Sequence, residues 1–183
     1  ALAGRRSGWT GSPLVAAGDP RRKARIARRI KYHGAMSWHR ELLPDPLPAE
    51  PLELGAAWLA EALRRAQQPN PNAMVLATAD AAGRPSARVV LCKQIQPVPG
   101  LVTFYTNYES AKGRDLAARP YAAAVIAWLA LERQVRVSGP VERVERAETL
   151  AYFAVRPRGA QLGAWASRQS EVVGSRAELD AAE

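Results

Sequence analysis

The sequence predicts an α+β fold: a small antiparallel barrel of roughly six strands with peripheral helices. Three observations carry this. Short apolar runs of strand length recur between Ala73 and Val144, separated by Gly, Pro and Asn turn signals. No regular alternation of strand and long helix is visible, which argues against a doubly wound parallel sheet. A chain of 183 residues is long enough for one well-cored domain and short for two. A barrel of this size fills its interior with side chains and encloses no channel.

The elements follow in order. Pro44-Asp-Pro-Leu-Pro-Ala-Glu-Pro51 is a stiff linker that separates a tail, residues 1–43, from a body, residues 44–183. Leu52, Ala56, Leu59 and Leu63 then recur at helical spacing, with Glu53 and Glu61 on other faces, until Pro69-Asn-Pro71 stops the helix. From Ala73 the period changes. Ala73 to Thr78 reads as a buried strand, Asp80-Ala-Ala-Gly83 as a hairpin turn, and Ser86 to Ile95 as the returning strand. A Pro/Gly loop leads to a third strand, Leu101 to Thr106. Asn107 to Arg119 reads as a short helix, with Ser110 to Ala118 at its heart, closed by Arg119-Pro120. Tyr121 to Leu129 and Glu132 to Val144 give two further strands. The second has mixed faces, because Arg133, Val135 and Val137 alternate with Gln134, Arg136 and Ser138. Glu145 to Val155 is the last helix, and a loop rich in Arg, Gly and Ser follows it.

Composition excludes several function classes. Hydrophobic content of 48% and charged content of 23% suit a soluble globular protein, and no apolar run approaches the length of a bilayer span. A single cysteine, Cys92, leaves no internal disulfide and fits a reducing compartment, so the cytosol is the simplest address. The only histidines, His33 and His39, lie in the tail, which leaves little from which to build a metal site. The net charge of +9 is concentrated there as well: residues 1–43 hold ten Arg or Lys against Asp19 and Glu41. Such a tail is expected to be disordered and solvated, and charge alone does not predict nucleic-acid binding.

The body holds few candidates for nucleophilic or acid–base chemistry. Without a body histidine there is no Ser/His/Asp arrangement, and Cys92 inside an apolar strand reads as a small hydrophobe. Glu109, Asp115 and Glu132 each lie near Arg or Lys and read as surface ion pairs. No GxGxxG or Walker pattern occurs. What remains is a set of cations: Arg88, Lys93, Lys112, Arg114, Arg133, Arg156 and Arg158. Arg88 and Lys93 bracket the run RVVLCK. Their opposite parity sends them to opposite faces of a regular strand, so they cannot grip one small anion together. Thr106, Ser110 and Lys112 gather where a strand ends and a helix begins. Such a junction can receive phosphate, or can simply be capped by Asn107 or Ser110.

The succession RVVLCK, FYTNYESAKG, LERQVRVSGPVER and YFAVRPRGAQLGAWASRQS resembles the pyridoxamine 5′-phosphate oxidase family, from about Leu42 to Ala177. The resemblance implies an FMN-binding split β-barrel that works as a homodimer with the flavin between subunits. The implied reaction oxidises pyridoxamine or pyridoxine 5′-phosphate to pyridoxal 5′-phosphate, with O2 as acceptor and H2O2 as product. Arg88 matches the family's FMN-phosphate arginine, where a guanidinium can meet phosphate oxygens in bidentate fashion. Val89, Val90 and Leu91 match backbone contacts to the flavin. Lys93 matches a lysine near both the flavin and the substrate phosphate. Tyr105, Thr106 and Lys112 match the next part of the FMN cradle, and Gln134, Gln169 and Ser170 match flavin-contacting polar groups. Tyr152 and Arg156 match substrate-phosphate ligands, and their spacing of four is expected to place them on one helical face. The cofactor does the hydride chemistry, so no side chain is assigned a catalytic role.

The family pattern is departed from in three places. Ala111 stands where the family has Arg, and Ala160 where it has Ser. A lost charge-assisted hydrogen bond costs on the order of 1.5–3 kcal/mol, enough to weaken a ligand without abolishing its site. The family also continues into a C-terminal segment with a flavin-contacting Trp and an Arg-x-His, so the resemblance implies either a fragment of a longer protein or a C-terminally shortened member with impaired catalysis. Two other readings keep the barrel: a flavin- or pyridoxal-phosphate-binding protein with little turnover, and a flavin oxidase of another substrate, as in phenazine biosynthesis. Tyr152 and Arg156 favour the phosphorylated B6 substrate.

Overall fold

The computed structural model describes residues 14–17 and 43–181. It is a closed antiparallel barrel in the strand order β1-β4-β3-β2-β5-β6, comprising β1 (Leu14–Ala17), β2 (Ala73–Ala79), β3 (Pro85–Gln96), β4 (Leu101–Phe104), β5 (Tyr121–Trp128) and β6 (Arg133–Arg143). Strands β4-β3-β2-β5-β6 form one curled sheet. Strand β1 joins its edges, with Leu14 opposite both Phe104 and Arg143. The α+β barrel is therefore as expected, but β1 comes from the segment read as a disordered tail. Leu14-Val-Ala-Ala17 is uncharged and short, and a charge count over 43 residues averages it away. The rest of that segment lies outside the described residues.

Inward positions alternate along β2 and β5, where Met74, Leu76, Ala122, Ala124, Ile126 and Trp128 are buried. Cys92, Ile95, Val102, Phe104, Val135 and Val141 complete the core. Strand β3 changes both partner and phase. It pairs with β2 as far as Leu91 and with β4 from Cys92, with a register shift between Cys92 and Gln94. An extra residue at this bulge leaves Lys93 and Gln94 both exposed between inward Cys92 and Ile95. Among the described residues, Pro85–Leu91 has a β partner on one side only.

Helix α1 (Pro51–Arg65) packs onto the barrel. Glu50 caps it by accepting from the Leu52 N–H at 3.1 Å, and Pro51 occupies the first turn, where its missing N–H costs nothing. The buried face is Leu52, Gly55, Leu59 and Ala62, rotated from the expected Leu52/Ala56/Leu59/Leu63 stripe, and Leu63 is exposed. Gly55 faces Val135, which a Cβ there would meet in ordinary contact at 3.6 Å. Trp128 is fully buried, donates its indole N–H to the Pro71 carbonyl at 2.7 Å, and meets Trp58 edge-to-face at 6.5 Å. Arg133 lies 5.2 Å from the Trp58 ring and pairs with Glu61, fastening the helix to β6.

The remaining helices are α2 (Ala111–Ala118), α3 (Arg146–Ala154), α4 (Arg158–Ala166) and α5 (Arg176–Asp180). Residues 158–166 were expected to be loop. Gly159 and Gly163 lower intrinsic helix propensity there, and no side chain caps α4, so its sequence carries weak helix signals. Helix α5 also falls in the segment read as loop, and α2 starts at Ala111 rather than Asn107, because Asn107 to Glu109 form the turn that leads into the Ser110 cap; the other boundaries fall within two residues of expectation. One of these differences moves Tyr105 and Thr106 off the end of β4 into the following turn segment.

Candidate functional site

The hairpin β2–β3 closes through Asp80 and Gly83: the Gly83 N–H reaches the Asp80 carbonyl at 2.9 Å, and Gly83 takes the left-handed φ of 83° that glycine tolerates. Its register sets Arg88 opposite Leu76 and Ser86 opposite Thr78. Arg88 is consequently half-buried on the hairpin. Its Nη1 donates to the Thr78 hydroxyl at 2.6 Å and to the Leu76 carbonyl at 3.3 Å, while Nη2 donates to the Ser86 hydroxyl at 2.5 Å.

The first turn of α2 lies beside this arginine. Ser110 caps the helix, accepting from the Gly113 N–H at 3.3 Å. Its own proton goes to the Asn107 carbonyl at 2.6 Å. The cap reading of Ser110 therefore holds, and it does not exclude an anion site, because Lys112 is buried next to it. The Lys112 ammonium donates to Ser110 Oγ at 3.1 Å and to Gln169 Oε1 at 2.7 Å. Both acceptors are neutral, and among the described residues no carboxylate pairs with this lysine. Burial, and secondarily the Arg88 guanidinium nearby, hold its pKa below the ordinary lysine value. A buried ammonium beside a half-buried guanidinium is an environment suited to a dianion such as a phosphate monoester. At Gly113 a Cβ would fall 2.1 Å from the Tyr108 carbonyl oxygen, so only glycine permits the loop to pack this closely on the helix.

A second cluster forms around Tyr152 of α3. Its ring stacks on Tyr105 at 3.6 Å with a 4° interplanar angle, and the Lys93 ammonium lies 5.4 Å from the Tyr152 ring centroid. The Tyr105 hydroxyl donates to Glu148 at 3.4 Å. Burial first, and then this carboxylate, raise the Tyr105 pKa, so the phenol stays protonated. Lys93 thus faces away from the Arg88 cluster, as the parity of RVVLCK requires.

The structure brings Arg88, Lys112 and Gln169 to one place and Lys93, Tyr105 and Tyr152 to another, with the segment 105–112 running between them. Thr106 is half-buried on that segment. Arg156 is not on the same helical face as Tyr152, because α3 ends at Ala154; its guanidinium lies 5.8 Å from the Phe153 ring, and its carbonyl accepts from Gln161 at 2.8 Å. Gln134 is half-buried on β6 opposite Ala127, and Ser170 sits on the exposed loop after α4 with a φ of 73°. Val89 and Leu91 expose their side chains and Val90 is half-buried, on the stretch of β3 that is paired on one side only. Cys92 is buried, and burial pushes its thiol up to about 11, so it is no nucleophile.

Sequence reasoning missed Thr78, Ser86 and Asp115. Asp115 is not a surface ion pair. Its side chain is 13% exposed and receives the hydroxyls of Thr78, at 2.6 Å, and Ser86, at 3.2 Å. The partners lie 37 and 29 residues away, so no local pattern could reveal them.

Among known proteins, a family model described as pyridoxamine 5′-phosphate oxidase matches residues 59–182. A pyridoxine/pyridoxamine 5′-phosphate oxidase of Mycobacterium sp. (strain JLS) is 57% identical over 122 residues, covering 67% of this chain and 57% of the relative's length. In structure, the chain is similar to PhzG from Burkholderia lata 383, solved in complex with tetrahydrophenazine-1-carboxylic acid. The TM-score is 0.71 at 32% identity, over 78% of this chain and 70% of that one. A pyridoxamine 5′-phosphate oxidase-related, FMN-binding protein from Nostoc punctiforme shares the fold, with a TM-score of 0.55 at 19% identity over 68% and 69% of the two chains.

Proposed function

The chain belongs to the pyridoxamine 5′-phosphate oxidase family, and from that premise we propose that it binds FMN and oxidises pyridoxamine or pyridoxine 5′-phosphate to pyridoxal 5′-phosphate. The observation that carries this reading is Lys112, a buried ammonium that, among the described residues, is held by neutral oxygens alone and is placed beside Arg88. These residues fit the phosphate of FMN. In the bound form, Arg88 and Lys112 donate to the phosphate oxygens, with Thr106, Gln169 and Ser170 as polar neighbours. The one-sided stretch Val89–Leu91 offers backbone groups to the flavin ring, and Gln134 offers an amide. FMN supplies hydride acceptance from the substrate's C4′ carbon and re-oxidation by O2, which yields H2O2.

The chain's own work on the substrate is binding and orientation. Lys93 and Arg156 supply positive charge for the substrate phosphate and Tyr152 a phenolic hydroxyl. The Tyr105 stack holds the Tyr152 ring in one plane, reducing the freedom lost on binding. The partner is a second copy of the chain. Val75 and Val89 are directly opposite in the β2–β3 register, and with Leu91 they expose an apolar face suited to a subunit contact. The cytoplasm is the proposed location; among the described residues no helix is long and apolar enough to cross a membrane.

The decisive experiment titrates the purified chain with FMN and then supplies pyridoxamine 5′-phosphate under O2 while H2O2 is measured. Flavin fluorescence that FMN titration leaves unchanged rejects the reading. Tight FMN binding without H2O2 supports a flavin-binding protein with little turnover. The likeness to PhzG favours a second reading, a flavin oxidase of a non-phosphorylated ring substrate. Oxidation of a reduced phenazine in preference to pyridoxamine 5′-phosphate would select it.

A further inference from the structure

We infer that Asp115 is a positioning residue for FMN: through the hydroxyls of Thr78 and Ser86 it aims the Arg88 guanidinium at the flavin phosphate. The inference rests on the FMN reading above and names a residue that this reading does not use.

Each hydroxyl in this cluster has one proton. Thr78 Oγ1 and Ser86 Oγ both direct theirs to the same carboxylate oxygen, Asp115 Oδ2, at 2.6 and 3.2 Å. With its proton committed, each hydroxyl presents only lone pairs to Arg88, and each accepts from a different guanidinium nitrogen, at 2.6 and 2.5 Å. The carboxylate therefore fixes the direction of both bonds. It is itself 3.6 Å from Arg88 Nη2. With the Leu76 carbonyl, three of the five guanidinium N–H groups are held, and among the described residues two are left for a ligand.

Asp115 follows Lys112 by three residues on α2, while Thr78, Ser86 and Arg88 belong to the β2–β3 hairpin. One carboxylate thus ties the helix that carries the lysine to the hairpin that carries the arginine, and sets the spacing of the two cations. It also offsets part of their mutual repulsion. Charge and position make opposite demands here. If Asp115 acted only as a negative charge near an anion, removing it would tighten phosphate binding. If it acts by aiming Arg88, removing it weakens phosphate binding.

The test measures FMN and riboflavin affinity by flavin fluorescence on the whole chain, with melting temperature recorded alongside. For Asp115→Asn the FMN Kd rises about tenfold while the riboflavin Kd changes by less than about twofold, because only FMN carries the phosphate. Asp115→Glu recovers part of the loss. Thr78→Val, which keeps the shape and removes one hydroxyl, shifts FMN in the same direction and stands in if Asp115→Asn does not fold. Unchanged or tighter FMN binding in Asp115→Asn or in Thr78→Val overturns the inference, as does an equal loss for FMN and riboflavin. A wild-type chain that leaves FMN unbound removes the functional premise instead, so the two failures are distinct.

Discussion

The Lys112 ammonium donates to the Gln169 amide oxygen at 2.7 Å, joining α2 to the loop after α4 across 57 residues. The cation is buried and its acceptors are uncharged, which is an unfavourable state for an ammonium to hold without a ligand. Folding has placed a charge that no carboxylate among the described residues neutralises, and that imbalance is the clearest functional mark on them.

Lys112→Met should separate stability from binding. Removing the desolvated ammonium leaves the melting temperature of the flavin-free chain unchanged or higher, since an apolar replacement for a buried charge is often neutral or stabilising. The FMN Kd should rise at least about tenfold, the loss expected of a charged hydrogen bond to phosphate. Thermal melts and flavin titrations on the same samples check both halves.

The lysine also sets a pH dependence. Its pKa in the free chain lies below the ordinary lysine value of 10.5, lowered by burial first and then by Arg88. A bound phosphate favours the protonated form and raises that pKa, so binding takes up a proton in the window between the two values. FMN affinity should therefore fall as pH rises through that alkaline window, and Lys112→Met should lose the dependence. In the flavin-free chain the unfolded state holds this proton more tightly, so the lysine's contribution makes stability rise with pH over the window below 10.5. Titrations in a series of buffers from neutral to alkaline pH read out the binding effect.

Lys93 and Cys92 are neighbours with opposite fates. Lys93→Ala should lower kcat/KM for pyridoxamine 5′-phosphate by at least about tenfold, the value of one charged contact to phosphate. Cys92→Ala should leave that ratio near wild type and lower stability modestly. The thiol, buried and pushed up to about 11, should react with a disulfide reagent at pH 8 only after denaturation. A Cys92 variant that loses more turnover than the Lys93 variant would show that the strand presents its other face to the substrate.

Trp128→Ala should be the costliest of these substitutions for folding. It empties a fully buried ring site, orphans the Pro71 carbonyl and removes the edge-to-face contact with Trp58. The expected loss is about 3–5 kcal/mol, read from denaturant unfolding of the flavin-free chain.

Local chemistry made much of the fold legible. Asp80 and Gly83 specified a hairpin because glycine alone accepts the left-handed turn position cheaply, and period-two burial followed along β2 and β5. Parity correctly sent Arg88 and Lys93 to different faces, since the bulge falls at Lys93 rather than between the two. Other features had no local signature. Helix α4 forms despite two glycines, and the buried stripe of α1 turns so that Gly55, not Ala56, meets the barrel at Val135. The four residues of β1 form a strand because β4 and β6 leave edges for them to pair with, whatever the charge around them.

By itself the sequence determined which cations exist, which elements carry them and in what order along the chain. Tertiary structure decided what each cation meets. Arg133 is paired with Glu61, and Arg88 is tied through two hydroxyls to Asp115. Lys112, three residues from that same aspartate, is buried against neutral oxygens. The reason is range. Periodicity and turn preference act over a few residues, whereas a carboxylate neutralises a cation only within a few ångströms, and those distances are set when strands and helices from distant parts of the chain pack together.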